Sequence, residues 1–303
     1  MITLFAVLTL VAALGPISWL VHARVAGRHH WLVASTATAA MSGSALLVGP
    51  WALLSVYLRP VIALALIGAL VLTANRAARR AADQNQPAAS SWPSMLHVVL
   101  ACIFAVVLMN AFAGRFPPRG TTDLCFPLKG GVYAVLQGGG SLVLNPFHRW
   151  FPSDKYALDL VRLNVLGNRG RGISPARLTE YASFNDSVHS PCTGVSEEVR
   201  GDVPDNAPGD TDPQHRTGNY VLLRCGALRV LLAHLARGTL AVSAGDAVRV
   251  GQLVGRIGNS GNTSEPHLHV SAMAARSGES WPEAEAVAVT FDGDFLAIND
   301  IVR

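Results

Sequence analysis

The chain has 303 residues, of which 50% are hydrophobic and only 15% are charged, so it is too apolar to be one soluble globule. Six arginines and one aspartate precede Ala113, whereas 18 basic and 19 acidic residues follow, so the net charge of +4 originates in the apolar part. This division excludes nucleic-acid binding through a polybasic surface as the main function of the protein. The composition predicts a membrane region followed by a folded domain.

Apolar runs predict about four transmembrane helices in residues 1–113. Residues 2–21 carry no charged side chain, and about 20 such residues are what an α-helix needs to cross a bilayer. We interpret this run as a retained helix rather than a signal peptide, because no basic segment precedes it and no clear cleavage site follows. The other runs are residues 31–57, broken around Gly49 and Pro50, residues 60–74, short for a span, and residues 95–113.

Arginines between the apolar runs predict how the chain is oriented. Arg24 and Arg28 fall in the first loop, and Arg76, Arg79 and Arg80 fall in the third. Short loops rich in arginine stay on the cytoplasmic side of a membrane. With four spans, the amino terminus and everything after residue 114 then lie outside the cytoplasm, as in a multi-pass cell-membrane protein.

The second part of the chain reads as a β-rich domain. From Phe126 onward, short apolar segments alternate with single glycines, which predicts an antiparallel all-β domain over residues 123–303, joined by a linker at residues 114–122. Residues 202–218 interrupt the pattern with four aspartates and three prolines. A loop of that length in a compact domain is more often functional than idle.

Three cysteines fall in this domain. Cys192 opens one predicted strand, residues 194–200, and Cys225 closes another, residues 219–225. If these strands pair antiparallel, a Cys192–Cys225 disulfide becomes geometrically possible, and it would persist outside the cytoplasm. Cys125 is then left over, either free or in an intermolecular bridge.

Histidines carry the strongest chemical signal, since six of the ten lie in the β-rich part. The sharpest motif is Pro266-His267-Leu268-His269-Val270. Residues two apart on a strand share a face, so His267 and His269 project side by side while Leu268 and Val270 enter the core. Such a pair can bind one metal, or one histidine can bind it while the other acts on the substrate.

Further motifs precede this pair in a characteristic order. Ala233-His234-Leu235 is followed by a Gly-Asp-x-Val-x-x-Gly-Gln segment from Gly245, and then by the Gly-Asn-Ser-Gly-Asn-Thr turn of residues 258–263. The series resembles the lysostaphin-like, LytM-type zinc metallopeptidases that cut peptidoglycan cross-links. The resemblance runs from about residue 126 to about residue 295, with its specific part at residues 233–270, and implies a lysostaphin-type all-β domain built on a duplicated hybrid motif.

The family also needs one further histidine and an aspartate, typically spaced His-x-x-x-Asp. Asp159 in Tyr-Ala-Leu-Asp matches, because a carboxylate flanked by apolar strand residues otherwise has no reason to be there. His148 precedes it by eleven residues, so a longer loop must return it to the site. His189 or His215 could substitute for His148 as the ligand.

The resemblance implies a Zn²⁺ ion bound by His148, Asp159 and His269, with a water in the fourth position. It also implies that His234 and His267 act as general base and as donors to the tetrahedral oxyanion, without dividing the two roles between them.

Two functions follow from the resemblance. The first is a membrane-bound zinc metalloendopeptidase that hydrolyses peptide bonds, in peptidoglycan cross-links or in another peptide. The second is a catalytically inactive binding or regulatory module that activates another cell-wall hydrolase, with a membrane or cell-wall protein as its partner. The retained histidines favour the enzyme, whereas the irregular spacing of His148 favours the regulator.

The orientation can be tested with a reporter that is active only outside the cytoplasm, fused after Arg303. We expect an active reporter, because four spans return the chain to the side of its amino terminus. The control is the same reporter fused after Arg80, which should be silent. Cytoplasmic readings for the Arg303 fusion would reject the four-span topology.

Overall fold

The computed structural model describes residues 2–23, 28–81, 92–276, 278 and 280–303. The chain divides into two compact units, Met1–Phe112 and Ala113–Arg303.

Helices make up the first unit. In the described residues, four helices are long and apolar enough to cross a membrane, as predicted; their bounds are α1 (Ile2–His22), α2 (Arg28–Val48), α3 (Leu58–Ala81) and α4 (Trp92–Ala113). The predicted break at Gly49 and Pro50 is present, and a single 3₁₀ turn at Trp51–Leu53 separates α2 from α3.

Two details of the sequence prediction are wrong in this unit. The third span is not short, because α3 continues through Ala81 and offers 23 residues for a span, Leu58–Arg80. Arg76, Arg79 and Arg80 therefore belong to the last turns of α3 rather than to a loop, since arginine and alanine propagate a helix well. Arg28 is the first residue of α2, and Arg24 lies outside the described residues.

Small side chains pack α2 into this unit. Its buried residues are alanines, serines and one threonine, among them Ala34, Ala37 and Ser44. Small side chains let helix backbones approach closely, which is how apolar helices associate when no water is available to drive burial. The Ser44 hydroxyl donates to the backbone carbonyl of Ala40, four residues earlier, at 2.8 Å.

The second unit is built from short strands. In the described residues these are β1 (Thr122–Leu124), β2 (Tyr133–Gln137), β3 (Leu158–Arg162), β4 (Ser187–His189), β5 (Gly194–Arg200), β6 (Asn219–Cys225), β7 (Leu228–Leu235), β8 (Ala247–Val248), β9 (Leu253–Arg256), β10 (Leu268–Ala274), β11 (Val289–Phe291) and β12 (Ile301–Val302).

The main sheet is antiparallel, as predicted. Its eight strands run in the order β12-β2-β3-β10-β7-β6-β5-β8. Two smaller pairs complete the unit, an antiparallel β4-β9 pair and a three-residue parallel β1-β11 pair. The long β10 strand therefore lies between β3 and β7, and these three strands form the scaffold of the site described below.

Alternation along β3 and β10 separates the core from the opposite face of the sheet. Leu158 and Leu160 of β3 and Leu268 and Val270 of β10 are buried in the main apolar core, as the sequence predicted for Leu268 and Val270. Because successive residues of a strand point to opposite faces, the residues between them project from the other face. That face therefore carries Asp159 of β3 and His269 of β10.

The two predicted strands at residues 194–200 and 219–225 are present with those bounds. They are β5 and β6, which pair antiparallel with Val195 opposite Arg224. Cys192 and Cys225 form the predicted disulfide, with their Cα atoms 5.9 Å apart. Cys125 is free and exposed.

Removing this disulfide should destabilise the second unit. The bridge joins residues that are 33 positions apart in sequence. Because the unfolded chain gains entropy when this link is removed, we expect the free energy of unfolding of the Cys192→Ser, Cys225→Ser variant to fall by about 3 to 4 kcal/mol. The measurement is the denaturant concentration at the midpoint of unfolding, for the full chain in detergent, with near-ultraviolet circular dichroism as the signal. Cys125→Ser is the matched control and should leave the midpoint unchanged; equal midpoints for all three proteins would contradict the expectation.

Candidate metal centre

Asp159 and His269 face each other across two paired strands. In the antiparallel register of β3 and β10, His269 lies directly opposite Asp159. Both side chains project from the face opposite the main core, and His269 Nδ1 lies 3.1 Å from Asp159 Oδ1. The strand register alone therefore brings an imidazole and a carboxylate together, although 110 residues separate them in sequence.

His148 reaches the same point from the loop between β2 and β3. Its side chain is buried, and its Nε2 atom lies 3.4 Å from Asp159 Oδ2. Its other ring nitrogen donates to Asn145 Oδ1 at 2.8 Å, and Asn145 in turn donates to the backbone carbonyl of Ala157 at 2.9 Å. Asn145 thus ties the loop to the start of β3 and sets the orientation of the His148 ring.

Together these three residues form a group that could hold a metal ion. One ligand atom from each of His148, Asp159 and His269 lies within 4.8 Å of the others. Among the described residues this is the only such group, and it contains neither His189 nor His215. His189 lies on β4, in a different sheet, and the His215 ring is bonded to Asp212 at 2.7 Å.

The electrostatics of the group favour an ionised carboxylate. Burial would raise the pKa of Asp159, but the His148 and His267 rings beside it hold that pKa well below its usual range. Burial would also lower the pKa of His269, yet Asp154 and Asp159 together raise it to about 10. An ionised carboxylate, Asp159, therefore lies where a cation could be bound.

His234 enters the site because the β6-β7 ladder is irregular. Asn219 pairs with Leu235 and Tyr220 pairs with Ala233, so His234 is an extra residue on β7. Its φ of +62° lies in the left-handed region, which non-glycine residues rarely adopt and which is typical of strained positions at functional sites. Such bulges re-aim a side chain next to active sites.

Hydrogen bonding determines the tautomer of the His234 ring. Its Nδ1 atom lies 2.8 Å from the Ser260 carbonyl oxygen and must donate to it, which leaves Nε2 as the acceptor. Burial and the neighbouring rings of His267 and His269 hold the pKa of His234 well below its ordinary value. The ring is therefore neutral, and its centroid lies 4.8 Å from that of His267.

His267 lies immediately before β10 and is aimed at the same group. Its Nδ1 atom donates to the Glu265 carbonyl at 2.9 Å, and its Nε2 atom lies 3.3 Å from Asp159 Oδ1. Burial would lower the pKa of His267, but the Asp159 carboxylate raises it above its ordinary value. The structure thus brings together all five residues that the sequence singled out.

The Gly258–Thr263 turn and the 202–218 excursion support these histidines. Asp205 of the excursion accepts the backbone N–H of Asn259 at 2.6 Å, and a Cβ atom at Gly258 would overlap the Asp205 carboxylate. The same turn supplies the Ser260 carbonyl that orients His234. The excursion is therefore part of the scaffold behind the site.

Asp154 is a site residue that the sequence analysis missed. It is buried, with Oδ1 3.6 Å from His269 Nε2 and Oδ2 accepting from Arg216 Nη2 at 2.9 Å. Burial would raise the pKa of Asp154, but His269, His148 and Arg216 lower it to about 2. Its position five residues before Asp159 was the available signal, but nothing in the local pattern distinguishes it from a surface aspartate.

A buried ion pair holds the segment before His267. Glu265 accepts from Arg169 Nε at 2.8 Å and from Arg169 Nη2 at 2.6 Å, and the Arg169 side chain is 1% exposed. Arg169 also donates to the Ile173 carbonyl at 3.1 Å, and its guanidinium lies over the Tyr181 ring. Sequence reasoning did not find this pair, because its two members are 96 residues apart and no motif links them.

Residues 185–280 match the family model described as Peptidase family M23. The matched segment includes His234, His267 and His269, whereas His148 and Asp159 lie before it. A comparison with curated proteins gives no match.

Solved structures show distant likenesses. A zinc-containing peptidase from Vibrio cholerae is 17% identical over 53% of this chain and 37% of its own, with a TM-score of 0.32. The catalytic domain of lysostaphin, an antimicrobial peptidase from Staphylococcus simulans, is 22% identical over 39% of this chain and 84% of its own, with a TM-score of 0.25. This chain thus spans little more than a third of the Vibrio peptidase. Because these identities and TM-scores are low, the assignment depends on the family match and on the site residues.

The matched segment contains three of the five site residues, and the main sheet of the unit is antiparallel. The remaining two residues, His148 and Asp159, complete with His269 a group that could hold a metal. The second unit of this chain therefore contains a Peptidase family M23 domain.

Proposed function

We propose that this protein is a membrane-anchored zinc metalloendopeptidase that hydrolyses peptide bonds, with peptidoglycan cross-links as its substrate class. The observation that supports this most directly is the group of His148, Asp159 and His269, because each imidazole in it is oriented by a second hydrogen-bonding or ionic partner. Metal-binding histidines almost always have such partners.

The donor set fits Zn²⁺. Two neutral imidazoles and one carboxylate leave a net positive centre with one coordination position open, which distinguishes catalytic from structural zinc sites. His148 would use Nε2, since its Nδ1 atom is bonded to Asn145, and His269 would use Nδ1, since its Nε2 atom faces Asp154. Zinc bound there supplies a Lewis acid and lowers the pKa of the attacking water to about 7.

The two remaining histidines then take different roles. His234 has an unprotonated Nε2 atom, because its Nδ1–H donates to Ser260, so it can accept the proton of the attacking water. The water oxygen bonds to the scissile carbonyl carbon, and the proton passes from His234 to the leaving amine as the C–N bond breaks. His267 differs because Asp159 raises its pKa, so its ring can carry a proton on both nitrogens: Nδ1–H donates to the Glu265 carbonyl, and Nε2–H is the donor to the developing oxyanion.

The anchor and the compartment are part of the same proposal. Four candidate spans in the described residues suggest a multi-pass membrane protein. The arginine distribution supports an extracytoplasmic second unit, and the Cys192–Cys225 disulfide agrees with an oxidising compartment. Peptidoglycan lies on that side of the membrane.

Substitutions should separate metal binding from catalysis. We expect Asp159→Ala and His269→Ala to lose both zinc and activity, and His267→Ala and His234→Asn to keep zinc while losing about 10² to 10⁴ in rate. Asparagine is chosen at position 234 because it tolerates a positive φ. The measurements are elemental analysis of the full chain in detergent and hydrolysis of cross-linked wall peptides.

His189→Ala is the matched control for that series, since His189 is a histidine of another sheet. It should retain zinc and activity. Zinc loss in His267→Ala would invert the assignment of the His267 and His269 roles, and a wild-type chain without zinc would favour the regulatory module instead.

Asp154→Asn should weaken zinc binding without abolishing it. Removing the carboxylate that orients a metal-binding histidine typically costs 10- to 100-fold in metal affinity, so we expect a decrease of about that size. The measurement is the zinc Kd by competition with a chelator. Asp202→Asn, at an exposed aspartate, is the control; if the two variants bind zinc equally well, Asp154 does not orient His269.

A further inference from the structure

The loop between β2 and β3 has a buried side and an exposed side. Its inner side carries Leu144, Asn145 and His148, all of which are buried. Three large apolar side chains of the same loop, Leu142, Phe147 and Trp150, are instead 48%, 64% and 75% exposed. These three residues are called the apolar patch below.

Hydrogen bonds hold this loop against the start of the second unit. Gly140 N donates to the Gly114 carbonyl at 2.7 Å, and a Cβ atom at Gly114 would overlap Ser141. The Arg149 side chain donates back to the Gly140 carbonyl at 2.8 Å, which closes the loop on itself. The base of the loop is therefore attached one residue beyond Ala113.

Ala113 is also the last residue of a candidate membrane span, Met95–Ala113. Chain connectivity therefore places Gly114 at a bilayer surface, whichever side that surface faces. Since Gly114 and Gly140 are bonded directly, the loop that carries the apolar patch begins at that same surface.

The composition of the apolar patch suits that position. Tryptophan is enriched at membrane–water interfaces, where its large ring contacts the acyl chains and its N–H remains hydrated. Phenylalanine and leucine beside it add apolar area that water would otherwise cover. Arg149, adjacent to Trp150 in sequence, supplies a cation near the level of the lipid phosphates.

We propose that the apolar patch inserts into the headgroup region of the bilayer that the helices cross, and that the loop carrying His148 is thereby docked on the membrane surface. The occupant is lipid rather than a second protein. The proposal holds for either orientation of the chain and does not depend on whether the site is catalytic.

Lipid contact can be measured with a fluorophore on single cysteines in the full chain. In a background of Cys102→Ala and Cys125→Ser, the label is attached to Trp150→Cys or to Phe147→Cys. The protein is reconstituted into vesicles of phosphatidylcholine and phosphatidylglycerol, with or without lipids that carry a shallow nitroxide quencher. The second labelled position guards against a local effect of replacing the tryptophan.

Leu166→Cys is the matched control. Leu166 is 67% exposed and lies in the turn after β3, and because β2 and β3 are antiparallel this turn is at the opposite end of the pair from the apolar patch. We expect severalfold stronger quenching by nitroxide lipid at positions 150 and 147 than at position 166, and the reverse order for aqueous iodide.

Two outcomes would overturn the proposal. Labels at 150 and 147 that respond to iodide as strongly as the label at 166 would show that the patch faces water. Labels shielded from both quenchers would show that a protein partner, such as a second copy of the chain, covers it. The near-ultraviolet circular dichroism of each variant, compared with the parent, verifies that the second unit is folded.

Discussion

The register of β10 between its two neighbours is the constraint on which the site depends. His269 is opposite Asp159 on one side and opposite Ala233 on the other, next to the bulged His234. Because side chains alternate along a strand, a one-residue slip would move His269 into the core and Leu268 out of it. The buried apolar residues that alternate with the site residues therefore set the strand register, and this register determines which side chains reach the site.

Buried charge is the second determinant of the site. Asp154 and Asp159 are both ionised in a region where an unpaired carboxylate would be costly, and each is compensated by histidine rings, with Arg216 added at Asp154. His234 differs from the other rings because it is neutral and bonded to a backbone carbonyl. One small region thus contains groups suited to binding a cation, accepting a proton and donating a hydrogen bond. This division of protonation states is typical of sites that perform acid–base chemistry.

The loop that carries His148 connects this chemistry to the membrane in our proposals. Its inner side supplies a ligand and its outer side supplies the apolar patch, so docking on lipid would hold the ligand loop in one arrangement. A peptidase held in this way would act on peptides that lie close to the bilayer. The eleven-residue spacing between His148 and Asp159, which looked irregular in the sequence, leaves room for Trp150 and Asp154 between the two site residues.

The sequence by itself predicted the four apolar helices and the β5 and β6 strands. It made a Cys192–Cys225 disulfide possible and, through the family resemblance, singled out the five residues of the candidate site, with His189 or His215 as alternatives to His148. Each of these depends on a local signal: the thickness of a bilayer sets the length of a span, period-two alternation sets the face of a strand, and the motif order around His267 and His269 points to a family. Local propensity was misjudged where α2 begins at Arg28 and where α3 continues through its arginines. The tertiary structure decided how Asp154 supports His269, how Arg169 holds Glu265, and how a bulge turns His234 toward the site. These features could not be predicted because each depends on strand register or on contact between residues far apart in sequence, and such contacts leave no pattern in the segments that make them.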